Sequence, residues 1–192
     1  MKERQKKALI GLVVLVGIMV LVLYWRTGTE ENPGDYQVKK ANYRLEDGQM
    51  EEAVKEFSEA LEKNPDHIGA HLGLAIAYMQ MNRTDEALAK FDRTIELAPD
   101  MAAAYADRGI LYDRIGRYPE ALADYKKALS LDAEILDGPG WLWRFMRNID
   151  EKPPAVADRA RYLEEELRKP PEERVLKVPE LDETQRMHKV DG

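Results

Sequence analysis

The chain has no cysteine among its 192 residues. That excludes disulfides, cysteine-held metals and lipid attachment through a lipoprotein cysteine. It suits an oxidising compartment without requiring one. No glycine-rich phosphate loop follows a strand, because no strand is predicted at all. Positive charge is in short supply: 29 Lys and Arg stand against 36 Asp and Glu, and beyond Arg26 the balance is 24 against 35, a net of −11. Such a surface disfavours nucleic acid and anionic lipid as partners of the soluble part. His67 and His71 are four apart, a spacing that can hold a metal on one helix face, but no Glu adjoins His67 as a metalloprotease requires. Both are read as structural. The acidic residues fall mainly on presumed solvent faces, and no paired-carboxylate site stands out. No catalytic residue, cofactor, metal or small-molecule substrate is therefore expected. The ten prolines each fall in a linker, between elements or at a first helical turn, so none needs to interrupt a helix.

What the chain has instead is a period. Ala53, Ala87 and Ala121 lie 34 residues apart, and the same spacing relates Ala41, Ala75 and Gly109; Phe57, Phe91 and Tyr125; Gly48, Asn82 and Gly116; and, less strictly, Pro65, Pro99 and Ala133. A unit of this length reads as two helices and a turn, in which small residues let the backbones approach and an aromatic fills the space beside them. Each unit leaves an apolar face that the next must cover. Turns are expected at Gly48, Asp66, Asn82, Asp100 and Gly116, N-caps at Asp66, Thr84 and Asp100, and Pro119 in the first turn of its helix.

The pattern resembles the tetratricopeptide repeat over residues 34–135, with three repeats starting at Gly34, Ile68 and Ala102. The matching positions are Ala75, Tyr78, Ala87 and Phe91, then Gly109, Tyr112, Ala121 and Tyr125. In the first repeat Lys40 and Arg44 replace the family's leucine and tyrosine, as suits a terminal unit whose outer face meets water. The third lacks the closing proline, so its second helix is expected to run on toward Asp137. The resemblance implies an all-α solenoid of three helix hairpins and a role in holding other proteins rather than in catalysis. In that family the first helices of successive repeats line a groove for an extended or helical segment of a protein partner. Carried over by position, the groove residues are Val38, Asn42, Leu45 and Glu46; Leu72, Ile76, Met79 and Gln80; and Ala106, Ile110, Asp113 and Arg114. Family members that clamp a C-terminal carboxylate use lysine, asparagine and arginine. Here only Asn42 matches, while Val38, Gly73, Ala103 and Asp107 hold the other positions.

Lys2, Arg4, Lys6 and Lys7 precede an uncharged apolar run from Ala8 to Trp25. Its length corresponds to roughly 27 Å of helix, close to the ~30 Å of a bilayer core. It is read as one transmembrane helix, residues 8–25, with Tyr24 and Trp25 at the far interface. The residues after it do not make a signal-peptidase site. The cations place the arm of residues 1–7 in the cytoplasm, and everything beyond the linker of residues 26–34 outside it, in a bacterium the periplasm.

After the repeat domain, residues 35–135, two C-terminal capping helices are expected in 136–169. The first centres on Trp141, Trp143 and Phe145 and covers the open face of the third repeat, or else serves as a second interface for a partner. The second runs from Ala155 to Lys169, with Val156, Ala160, Leu163 and Leu167 on one face, and packs back on the first. Residues 170–192 read as an extended or disordered tail. The sequence thus describes a membrane-anchored interaction module, acting as scaffold, assembly factor or accessory subunit of a cell-envelope complex with membrane-associated protein partners. The alternatives are a permanent structural subunit held by its aromatic C-terminal region, and, with reversed topology, a receptor facing the cytosol.

Overall fold

The computed structural model describes residues 11–22, 32–132 and 155–177. Every element among them is a helix or a short 3-10 turn. The chain divides into two units, Met1–Asn32 and Pro33–Gly192. In the first, residues 11–22 form α1, whose large apolar side chains are 50–67% exposed all round the helix. Among the described residues no helix is long and apolar enough to cross a membrane. The flanks of the expected span, residues 8–10 and 23–25, lie outside the described residues.

The second unit is built from three hairpins: α2 (Asp35–Glu46) with α3 (Met50–Lys63), α4 (Ile68–Gln80) with α5 (Thr84–Leu97), and α6 (Ala102–Arg114) with α7 (Tyr118–Leu131). Each turns through a left-handed residue, Gly48 at φ 75°, Asn82 at 57° and Gly116 at 78°. Two backbone bonds close each turn. Gln49, Arg83 and Arg117 donate to the carbonyls of Arg44, Tyr78 and Tyr112, all at 2.8 Å, and Gly48, Asn82 and Gly116 donate to Leu45, Met79 and Asp113. This satisfies carbonyls that a helix end leaves without partners. A Cβ at Gly48 would touch nothing within 4 Å. Gly48→Ala should therefore cost only its backbone strain, about 1–2 kcal/mol, read from the urea midpoint. Asn82→Gly at the equivalent turn should move the midpoint far less.

The same turns carry a repeated latch. The guanidinium of Arg83 lies 4.4 Å from the centre of the Tyr78 ring and that of Arg117 lies 4.5 Å from the centre of the Tyr112 ring. Arg83 also pairs with Glu86, and Arg117 with Glu120 at 2.8 Å. The first hairpin substitutes a single hydrogen bond, Arg44 Nη1 to Gln49 Oε1 at 2.6 Å.

The helix starts differ from the expected caps. His67, Arg83 and Met101 occupy the N-cap positions, and Thr84 is already helical. The backbone N–H of Ala70 donates to His67 Nδ1, so a ring nitrogen performs the task expected of the Asp66 carboxylate. Asp66 is drawn away to Arg93 at 2.6 Å. Pro119 does sit in the first turn of α7. That helix does not continue toward Asp137: it stops at Leu131, and Asp132 is extended like Asn64 at the end of α3, while Ala98 leaves the helical region at the end of α5. Asn64 and Ala98 precede prolines, which disfavour helical geometry. Asp132 takes up the extended form with no proline after it, so the stop does not depend on one.

Small residues and aromatics hold the hairpins together. Phe57, Phe91 and Tyr125 are fully buried, as are Ala41, Ala53, Ala75, Ala87 and Ala121. A Cβ on Gly109 would lie 2.7 Å from the Tyr125 ring, and one on Gly73 only 2.1 Å from Phe57 Cζ. Arg108 ties three helices: it pairs with Asp124 of α7 through Nε and Nη2, at 2.7 and 2.8 Å, and with Asp92 of α5 at 2.6 Å. Burial opposes its charge, and the two carboxylates outweigh that, raising its pKa.

A further helix, α8 (Val156–Arg168), packs on α7. Val156, Ala157, Ala160 and Leu163 join Ala106, Ile110, Ala121, Tyr125 and Ala128 in one apolar cluster. The expected helix thus forms and packs on the third hairpin; the first capping helix, on which it was expected to pack back, lies outside the described residues. The apolar stripe of α8 fits the face that a fourth repeat would cover, which is why it docks there. A 3-10 turn, Pro171–Glu173, follows, and Arg174–Lys177 then return along α8.

Candidate partner-binding surface

The expected groove residues lie on the first helix of each hairpin, and most of them are buried in packing. Val38, Leu72, Ile76 and Met79 are each at most 3% exposed. Val38 sits in the cluster joining α2, α3 and α4, and the other three in the cluster joining α4, α5 and α6. A first helix packs against its own partner and the helices of neighbouring hairpins, so its apolar positions are consumed there. Leu45 is half-buried between those two clusters.

The third hairpin departs furthest from the expected groove. Ala106 and Ile110 are wholly buried and Asp113 is 6% exposed, all closed over by α8. Asp113 receives Arg159 of α8 in a bidentate pair at 2.7 and 2.8 Å, and the Tyr125 hydroxyl lies 3.3 Å from the same carboxylate. These side chains hold the end of the stack together. A cation–carboxylate pair 46 residues apart leaves no trace in the 34-residue period.

What stays open is polar and aromatic. Glu46, Gln80 and Arg114 are exposed at equivalent positions of α2, α4 and α6, and Asn42 is half-exposed. Lys39, Asn42, Tyr43 and Glu46 line an open depression of about 290 Å3 on α2. Tyr43 is 71% exposed, and Tyr36, seven residues earlier and hence on the same face, is 68% exposed. Lys39 and Tyr43 were not among the expected groove residues. The signal for them was the opposition of Tyr36 and Tyr43 to the buried Val38 and Ala41 on one helix. Beside them Lys40 reaches Glu56 at 2.6 Å, a hydrogen bond that raises the lysine's pKa.

Other expected positions have structural occupations. Gly73 lies against Phe57, and Asp107 is fully buried. His67 Nε2 is 2.9 Å from Asp35 Oδ1, and His71 Nε2 is 2.9 Å from the Pro65 carbonyl. Burial pushes the His71 pKa down. Trp141, Trp143 and Phe145, the expected second interface, lie outside the described residues.

Comparison with known proteins agrees with this architecture. Tetratricopeptide-repeat family models match residues 44–108 and 102–134. No curated protein matches the chain. Among solved structures, the first TPR of Spaghetti (RPAP3), bound to the HSP90 peptide SRMEEVD, is similar with a TM-score of 0.57 and 16% identity, over 73% of this chain and 97% of that one. The Arabidopsis OM64 TPR domain is similar with a TM-score of 0.51 and 24% identity, over 53% and 84%. The TPR2B domain of yeast Sti1, in its complex with pHsp70, gives 0.52 and 20%, over 62% and 94%. At these identities the likeness is one of fold.

Proposed function

We propose, for a chain whose residues 44–134 are tetratricopeptide repeats, that its N-terminal segment anchors it in the bacterial cytoplasmic membrane and that the repeats hold a segment of a partner protein outside the cytoplasm. The action is tethering, with no catalysis of its own. It serves as scaffold, assembly factor or accessory subunit of a cell-envelope complex. The observation that carries the reading is the pairing of α1, apolar and exposed on every side, with a separate repeat unit. Exposed apolar surface of that extent is unfavourable in water, and hydrocarbon is its natural surroundings. The cations before Ala8 support an N-terminus in the cytoplasm. Confinement to a membrane raises local concentration near membrane-bound clients, so modest affinity suffices.

Peptide-bound relatives such as the RPAP3 domain support a peptide-holding role. Peptides ending in a clamped carboxylate are not the expected clients here, because Val38, Gly73, Ala103 and Asp107 offer no cation. Contact falls instead to Asn42, Tyr43, Gln80 and Arg114. The test is purification of the whole protein from membranes with its partners. Tyr43→Ala combined with Gln80→Ala and Arg114→Ala should reduce partner recovery at least tenfold while the helical circular dichroism is retained. Undiminished recovery would remove the groove from the reading, and a reporter at Gly192 active only in the cytosol would reverse the topology.

A further inference from the structure

Residues 174–177 run back along α8 with their side chains alternating inward and outward, as extended chain does. Most of what holds them is a set of contacts to main chain. The Tyr162 hydroxyl donates to the Val175 carbonyl at 2.6 Å, Arg159 Nη2 donates to the Leu176 carbonyl at 2.8 Å, and the Val175 N–H donates to Glu166 Oε2 at 2.8 Å. Two side chains add to these. Arg174 donates to the carbonyls of Leu167 and Lys169, at 3.1 and 2.9 Å, where the negative end of the helix dipole favours a cation. Leu176 packs, half-buried, on the cluster shared by α6, α7 and α8.

We propose that this side of α8 is a binding site for an extended peptide of the pattern cation, any residue, apolar residue, and that Arg174–Leu176 is a resident ligand which a partner segment of that pattern replaces. The receptor is built independently of its occupant. Arg159 is fixed by Asp113, and Val156, Ala157, Ala160 and Leu163 of α8 pack with Ala106, Ile110, Ala121, Tyr125 and Ala128 of α6 and α7. The occupant uncovers little apolar surface on leaving: Val175 is 57% exposed, Lys177 and the 3-10 turn are exposed, and Leu176 alone reaches the core. Main-chain recognition accepts any residue at the middle position, while the helix end and the apolar cluster select the two that flank it. Because the resident segment is covalently linked, it competes at an effective concentration near the millimolar range. The inference concerns α8 and does not rest on the groove reading.

The test uses the full chain and a labelled peptide copying residues 170–177, followed by fluorescence anisotropy. The unaltered protein should bind it weakly. Leu176→Asp, which removes the apolar anchor in cis, should bind it at least tenfold more tightly. Adding Tyr162→Phe to that variant should weaken the peptide about fivefold. A Leu176→Asp chain that keeps its helicity yet binds no better than the unaltered one overturns the proposal, and Leu176→Ala serves if aspartate unfolds the chain. Native-state hydrogen exchange gives a second readout without mutation. The Val175 amide should exchange well before the amides of α7; exchange only together with them would make the segment a fixed part of the fold and likewise overturn the proposal.

Discussion

Phe57→Ala should lower the stability of the repeat domain by about 3–5 kcal/mol. The ring is wholly buried between α3 and α4, with its edge against the bare Cα of Gly73. Removing it forfeits apolar burial and leaves a cavity at the joint between the first two hairpins. A repeat array depends on such joints, so the loss should detach the first hairpin before the others unfold. Urea titration followed at 222 nm should therefore show a lower midpoint and a shallower transition. Gly73→Ala attacks the same joint from the other side. Its methyl would arrive 2.1 Å from Phe57 Cζ, a distance that only movement of the ring or of α4 can relieve. Gly73→Ala should cost about 1–3 kcal/mol or more with Phe57 in place, and much less in a Phe57→Leu background. Additive costs would show that the two residues are not in contact.

Asp113→Ala should be nearly as damaging, at about 3–5 kcal/mol, because it strands the guanidinium of Arg159 in the interior. Arg159 and Asp113 are 2% and 6% exposed, so water does not reach the pair in the folded chain. Arg159→Met should be costly for the reciprocal reason. The double variant Asp113→Leu with Arg159→Met should recover much of the loss, since a buried ion pair is often no more stabilising than apolar side chains of similar volume. A double-mutant cycle on urea midpoints measures the coupling, and near-zero coupling would contradict the pair.

These two sites mark the boundary of what the sequence could reveal. Phe57, Phe91 and Tyr125 were legible because each occupies the same environment in successive hairpins, and a recurring environment selects a recurring residue. The same holds for Gly48, Asn82 and Gly116, where the left-handed backbone restricts the choice. Arg159 and Asp113 are joined once only, by an end that has no counterpart elsewhere, so no period could show them. Which residues of a first helix stay exposed was not legible. Ile76 and Gln80 are four apart on one helix, yet one is buried in the cluster joining α4, α5 and α6 and the other, the last residue of α4, is exposed. Where a helix ends relative to its neighbours decides that, and apolar spacing along one chain does not encode it.

The outward side of α8 carries Arg161, Glu165 and Arg168, all exposed, while the opposite end of the stack begins with Lys40 and Arg44 on α2. A column of like units with bare apolar ends would add further copies indefinitely, as heterologous contacts that never close do. Here, among the described residues, one terminus is covered by a helix with ions on its back, and the other carries Lys40 and Arg44 beside the exposed Tyr36 and Tyr43. Ions on these two faces disfavour stacking of like units there.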